Sequence, residues 1–241
     1  MALGGAGTAQ AAGTGSLTLT PGTVSSASGL AVSVTGLSGF SGLPSSVALL
    51  LQPGFMSSAK SVSVLCTAGQ ASSSTCPAAS QIGTGSVGIS FFGSPTSVPL
   101  TAYLGDPLQS GDIASVILSG SLAGTTVAVS GRLFVPAGGG LELLLSGFPN
   151  VPVSLDSLAI SVQGTHTVTT TTTKTVTKYV WKGKGKHRKK HKVKKKVKKT
   201  VKTVYSVITN PSMCAGMWTG TATMNYSSGQ NTVPLSATCT P

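Results

Sequence analysis

Acidic side chains are scarce in this chain of 241 residues: Asp106, Asp112, Glu142 and Asp156 are the full set. Catalysis by paired carboxylates could draw only on Glu142 with Asp156. Glu142 alternates with leucines in LELLL, which is the pattern of a solvent-facing strand residue. Asp106 in GDP and Asp112 in SGD read as turn formers, and two distant aspartates fall short of the six or more oxygens that calcium takes. Histidine is equally sparse. His166, His187 and His191 all lie in one basic segment, so a Ser-His-Asp set would have to reach from that segment to a carboxylate elsewhere. His187 and His191 are four residues apart, but the lysines around them oppose a dication. No C-x-x-C occurs and no histidine neighbours a cysteine, so zinc has no ligand set. Apolar runs are short, VALLL (47–51) and LELLL (141–145) being typical, whereas a helix crossing a bilayer needs roughly 20 apolar residues. Aromatics are only 5% of the chain, so a core must be assembled from Val, Leu and Ala over many short strands. No enzymatic activity, cofactor, metal or small-molecule substrate is expected.

Glycine is plentiful (31 residues), and with Ser and Thr it separates runs of alternating or β-branched residues. These runs are LTLT (17–20), LAVSVTGL (30–37), SVALLLQP (46–53), KSVSVLC (60–66), SVGISFF (86–92), SVPLTAYLG (97–105) and ASVILSGSLA (114–123). They continue with TTVAVSGRLFVP (125–136), LELLLSGF (141–148), SLAISVQG (157–164), TVYSVIT (203–209), MWTGTATMNY (217–226) and TVPLSATC (232–239). Strict alternation, as in AVSVTG, marks strands with one buried face. The expected fold is all-β: an antiparallel β-sandwich with a long inserted basic β-hairpin arm. A single domain is expected over 16–241, interrupted by a Thr/Lys-rich arm at 166–208. Residues 1–15 read as a flexible Ala/Gly leader or as the remnant of an export signal peptide, since AQA (9–11) has the small-x-small form of a cleavage site. GTGSVG (83–88) matches the dinucleotide fingerprint G-x-G-x-x-G but lacks the following helix, so it reads as structural.

Four cysteines form two groups, Cys66 with Cys76 and Cys214 with Cys239. Three connectivities are possible, and pairing within each group is the simplest. Disulfides imply an oxidising compartment, hence an exported, extracellular or cell-surface protein. Reduced, buried thiols are the competing reading.

Positive charge is the other feature. The net charge is +13, and fifteen of the seventeen cations are Lys174, Lys178, Lys182, Lys184, Lys186, Arg188, Lys189, Lys190, Lys192, Lys194, Lys195, Lys196, Lys198, Lys199 and Lys202. Outside that window only Lys60 and Arg132 face the four acids. Charge concentrated on one segment of a nearly neutral chain seeks a polyanion. The segment opens with THTVTTTTTKTVTKYVW and returns through KKVKKTVKTVYSVIT, two limbs around GKGKHRKKH, as in a long hairpin. A disordered loop also fits. So does a basic amphipathic helix, because Val193, Val197, Val201, Val204 and Ile208 follow steps of four and three. Lysine is a hydrated point charge without arginine's planar fork, so attraction independent of sequence is expected. Tyr179, Trp181 and Tyr205 could stack on bases or pack across the limbs.

CPAASQIGTGSV (76–87), VPLTAYLG (98–105), LSGFPNVPVSLDSLAISVQG (145–164) and NPSMCAG (210–216) together resemble a known pattern. It is the β-rich repeat unit of large secreted, functionally uncharacterised proteins of high-GC Gram-positive bacteria (Actinobacteria). The similarity spans roughly residues 45–239 and implies export and an all-β fold, with no chemistry attached. The basic segment after Gly164 is a departure from that pattern. The expected function is non-enzymatic attachment, through the lysine-rich arm, to an anionic cell-wall polymer or acidic lipid surface. The alternative is nucleic-acid binding by the same lysines.

Overall fold

The computed structural model describes residues 13–37, 40–91, 93–122, 124–149, 151–182 and 189–241. The chain divides into two units, Met1–His166 with Ser206–Pro241, and Thr167–Tyr205.

The first unit is an antiparallel sheet of short strands. In chain order they are β1 (Thr14–Thr20), β2 (Ala27–Thr35), β3 (Ser46–Leu51), β4 (Gln81–Phe91), β5 (Ser94–Gly105), β6 (Asp112–Leu122), β7 (Thr125–Phe134), β8 (Leu141–Ser146) and β9 (Val153–Val162). After β10 (Thr165–Lys182) and β11 (Lys189–Ser206), which make up the second unit except for Thr165, His166 and Ser206 at their ends, come β12 (Ile208–Thr209), β13 (Met217–Tyr226) and β14 (Gly229–Thr238). The hydrogen-bonded order is β1-β2-β9-β4-β5-β6-β7-β8-β3-β13-β14, with β12 added to β2. A sandwich requires a break between two facing sheets. Here the ladder runs on without one until β14 comes round to β1, giving a nearly closed, barrel-like sheet. Eleven strands joined by antiparallel steps leave the first and last pointing the same way, so the closing contact is parallel. Thr23 and Thr240 form that parallel bridge, with the Thr240 amide donating to the Gly22 carbonyl (2.8 Å) and the Val24 amide to the Thr240 carbonyl (3.1 Å). Along the rest of the seam side chains do the closing: a Cβ at Gly15 would stand 2.6 Å from Leu235 Cδ2.

Alternation decides what points inward. In β14 Val233, Leu235 and Ala237 are buried while Thr232, Pro234, Ser236 and Thr238 are exposed. Apolar inside and hydroxyl-rich outside is the reverse of the pattern of a barrel that faces lipid. Pro234, which has no N–H to give, sits on this seam strand, where a sheet tolerates proline. The main core is aliphatic with few aromatic anchors, and a small second cluster gathers Cys66, Ala71 and Ile117. Trp218 meets Phe55 edge-on at 5.7 Å, and its indole N–H donates to the Met213 carbonyl (3.0 Å). Tyr226 stacks on Phe40 at 4.3 Å, and burial pushes its phenol up to about 12.

Three boundaries differ from the sequence reading. β1 starts at Thr14, because Gly13 and Gly15 already pack on β14, while residues 1–12 lie outside the described residues. Val207 and Ile208 belong to the barrel core rather than the arm, and Ile208 pairs with Ser28 of β2. KSVSVLC is not a strand. The Ser58 hydroxyl accepts from the Lys60 amide and starts a 3-10 turn at Ala59–Ser61, an instance of local side-chain bonding outcompeting a ladder. The next residues form a short helix, α1 (Ala68–Ser72), opened by a capping box between Thr67 and Gln70.

Both disulfides join residues within their own group. Cys66–Cys76, with Cα atoms 5.1 Å apart, ties the segment holding α1, and Cys214–Cys239, at 5.8 Å, ties the entry of β13 to the end of β14.

Candidate functional site

The second unit is built from Thr, Val and Lys. β-branched residues hold χ1 in the range a pleated strand accepts, which favours β10 and β11 over a helix. The two strands, each of 18 residues and about 60 Å long at ~3.3 Å per residue, form a sheet of their own. The connection at 183–188 is too short for a parallel crossover, so the pair is antiparallel. The Thr171 and Thr200 hydroxyls meet at 3.4 Å and set the register. The same register carries Thr165 to Ser206 and Lys182 to Lys189, so the strands match from end to end.

That register sorts the side chains onto two unlike faces, since strand neighbours alternate. On one face four rungs pair a threonine with a lysine: Thr169 with Lys202, Thr173 with Lys198, Thr175 with Lys196, Thr177 with Lys194. Thr171 with Thr200 falls among them, and Tyr179 with Lys192 continues the row. On the other face lysine and valine alternate like squares of a board: Lys174 opposite Val197, Val176 opposite Lys195, Lys178 opposite Val193. Exposure agrees with this division. Val176, Val180, Val193, Val197 and Val201 on the mixed face are 37–44% exposed, whereas Val204 (60%) and Tyr179 (57%) belong to the threonine face.

The apolar stripe that fitted a helix has a simple origin in this geometry. A step of four is even, so Val193, Val197 and Val201 also share one face of a strand, and Val204, three residues on, turns to the opposite one. Among the sequence-nominated cations, Lys174, Lys178, Lys195 and Lys199 lie on the mixed face and Lys192, Lys194, Lys196, Lys198 and Lys202 on the threonine face. Lys182, Lys189 and Lys190 are strand residues, while Lys184, Lys186 and Arg188 lie outside the described residues. Within the first unit, the chain leaves the barrel at Gly164 and re-enters at Val207, whose amide donates to the Gly164 carbonyl (3.0 Å).

The barrel's few ionisable groups serve its structure. Asp112 accepts from two Arg132 nitrogens, Nη2 at 2.7 Å and Nε shared between both carboxylate oxygens at 3.0 and 3.2 Å, and from the Gln109 amide at 2.9 Å. The guanidinium beside it holds the Asp112 carboxyl below the usual carboxylate range, and Arg132 also lies 4.5 Å over the Phe134 ring. So Asp112 closes its turn as the sequence predicts and also anchors an ion pair that local sequence did not reveal. Glu142 is half-buried on β8, and Asp156, on β9, accepts from the Ser90 hydroxyl. Their strands are not neighbours in the sheet, so nothing in the ladder pairs the two carboxylates. All three glycines of GTGSVG face β9: a Cβ at Gly83 would collide with the Ser161 carbonyl, one at Gly85 would stand 2.5 Å from the Ala159 carbonyl, and one at Gly88 would collide with the Ser157 hydroxyl. The motif therefore records close strand packing. A cavity of about 90 Å³ lies among β4–β9, lined by Leu100, Leu118, Val129, Leu155 and other apolar side chains. No group of three or more metal-ligating side chains comes together among the described residues, and no helix among them is long and apolar enough to cross a membrane.

Compared with protein-family models, curated proteins and solved structures, the chain matches none.

Proposed function

We propose that the protein is an exported, non-enzymatic attachment protein whose lysine-rich ribbon acts as an arm that holds an anionic polymer of a cell surface. The observation that carries this reading is the segregation of charge. Fifteen cations lie between Lys174 and Lys202, while everything outside that window holds two cations and four acids. Charge placed for solubility is spread over a surface; charge gathered on one element attracts a polyanion over a long range. Fourteen of the fifteen are lysines, which favours attraction to a repeating charge over recognition of one group by a bidentate fork. Export is supported by the two disulfides, which persist in oxidising compartments. The resemblance to secreted repeat units points the same way.

The test compares the intact protein with a variant lacking 167–205, its ends joined by a short Gly/Ser linker. Each is titrated with poly(glycerol phosphate), vesicles rich in phosphatidylserine, and duplex DNA. With six to ten phosphate contacts on a duplex, the intact protein loses about 10³–10⁵-fold in affinity between 50 and 200 mM salt, and the shortened variant does not bind measurably. Equal retention of all three ligands by both proteins overturns the reading. Four titratable thiols in protein taken from its native compartment overturn export.

A further inference from the structure

We infer that the ribbon binds through one face only, the threonine–lysine face, and that its ligand is a linear phosphodiester chain lying along β11. This rests on the reading of the ribbon as a polyanion-binding element and goes further by naming the face and the ligand chemistry.

Lys192, Lys194, Lys196 and Lys198 follow one another at every second residue on the same side of β11, at intervals of roughly 6.6 Å. That makes a straight row of ammonium groups suited to a chain whose charges recur along a line. Opposite three of them stand Thr177, Thr175 and Thr173, with cross-strand Cβ atoms about 4.5–5.5 Å apart, as for any directly opposed pair. Each such rung therefore presents a hydroxyl and an ammonium side by side. A phosphodiester has two unbridged oxygens, one for each donor, and threonine hydroxyls and lysines are both regular donors to phosphate. The Thr171–Thr200 contact, with both hydroxyls at 3.4 Å, shows that side chains on this face reach across the ribbon.

The mixed face offers something different. Lys174, Lys178 and Lys195 stand opposite valines, so each of these rungs has one donor beside an apolar group that would displace water from a phosphate without replacing its hydrogen bonds, and Lys199 opposite Thr172 is a single threonine–lysine rung with no like neighbour on this face. Its cations are also staggered between the strands: Lys174 and Lys178 on β10, Lys195 and Lys199 on β11. No straight row results.

Two variants of equal net charge separate the faces. One carries Lys192→Gln, Lys194→Gln, Lys196→Gln and Lys198→Gln; the other carries Lys174→Gln, Lys178→Gln, Lys195→Gln and Lys199→Gln. Both are compared with the intact protein on poly(glycerol phosphate), on oligo(dT) and on polyglutamate of matched charge, with the barrel's thermal transition as the folding control. Each phosphate that is no longer neutralised takes about 0.7 off the slope of log K against log salt for a single strand. The first variant therefore drops by about 3 in slope and by about 10²–10³-fold in affinity at 100 mM salt. The second stays within about tenfold of the intact protein. Face-dependent binding of only one phosphodiester polymer supports the inference and identifies its source. An equal drop in the two variants overturns the face assignment while leaving polyanion attachment standing. Polyglutamate bound as tightly as the phosphodiesters overturns the ligand chemistry. Intact protein that binds none of the three removes the attachment reading itself.

Discussion

The barrel and the ribbon are both antiparallel β-structure, yet alternation serves opposite ends in them. In β2 and β14 every second residue enters a core, and the outward positions are small or polar, mainly Ser, Thr and Ala with Gly29 and Pro234 among them. Between 167 and 205 no described side chain of β10 or β11 is buried: threonine and lysine share one face, valine and lysine the other. The barrel is held by apolar burial, and none of its core residues lies between 167 and 205. The ribbon has only cross-strand pairs and β-propensity, each weak, working against a row of like charges. A pattern of period two therefore says that a segment is strand without saying whether it has an inside. Composition answers that: Leu and Ile occur in the barrel strands and not in the ribbon, where Thr and Lys crowd together.

The contrast is broken most severely in the barrel's interior. Trp218→Ala removes a fully buried indole and its bond to the Met213 carbonyl, and costs about 3–5 kcal/mol, read as a lower urea midpoint. Truncating any single ribbon side chain leaves that midpoint in place. Next come the bridges. Replacing Cys214 and Cys239 by Ser costs about 3 kcal/mol, and replacing Cys66 and Cys76 costs slightly less, because they close a shorter loop (sequence separation 10 against 25).

A smaller effect is expected from Arg132→Met, and it depends on pH. The Asp112 carboxyl titrates lower in the folded chain than in the unfolded one, so its pairing stabilises the fold above the unfolded value, near 3.8, and is lost as pH falls through the folded one. The variant melts earlier at pH 7, and the gap to the parent narrows between pH 4 and 2 (about the range of a paired carboxylate) in a series of thermal melts. Smallest of all is Lys198→Gln. Stability is unchanged, but the salt slope for a single-stranded polyanion falls by about 0.7, which a binding titration at four salt concentrations resolves.

Most of the strands can be read from the sequence because alternation is local: MWTGTATMNY coincides with β13, and TTVAVSGRLFVP contains β7. The Cys66–Cys76 and Cys214–Cys239 pairing is the simplest of three and is the one formed. Closure is not legible, since the contact of β1 with β14 joins opposite ends of the chain and leaves no mark in any window. Asp112 and Arg132 meet only because the β6–β7 hairpin folds them together across 20 residues. Val207 and Ile208 read as arm because TVYSVIT is one β-branched run, and only its packing shows where the ribbon stops and the core resumes. The candidate site's residues can be named from charge alone. Their division between two faces requires the register that Thr171 and Thr200 reveal.

The parallel seam has a dynamic consequence. Everywhere else around the barrel, strands are zipped by amide ladders, but at the seam the backbone bonds among the described residues lie just past the ends of β1 and β14, at Gly22, Val24 and Thr240, and between the strands themselves Leu235 and Val233 pack on Gly13 and Gly15. When this molecule breathes, it should part there first. In deuterium exchange, the seam-facing amides of these two strands are expected to label well before those of β4 and β5, which are laddered on both sides.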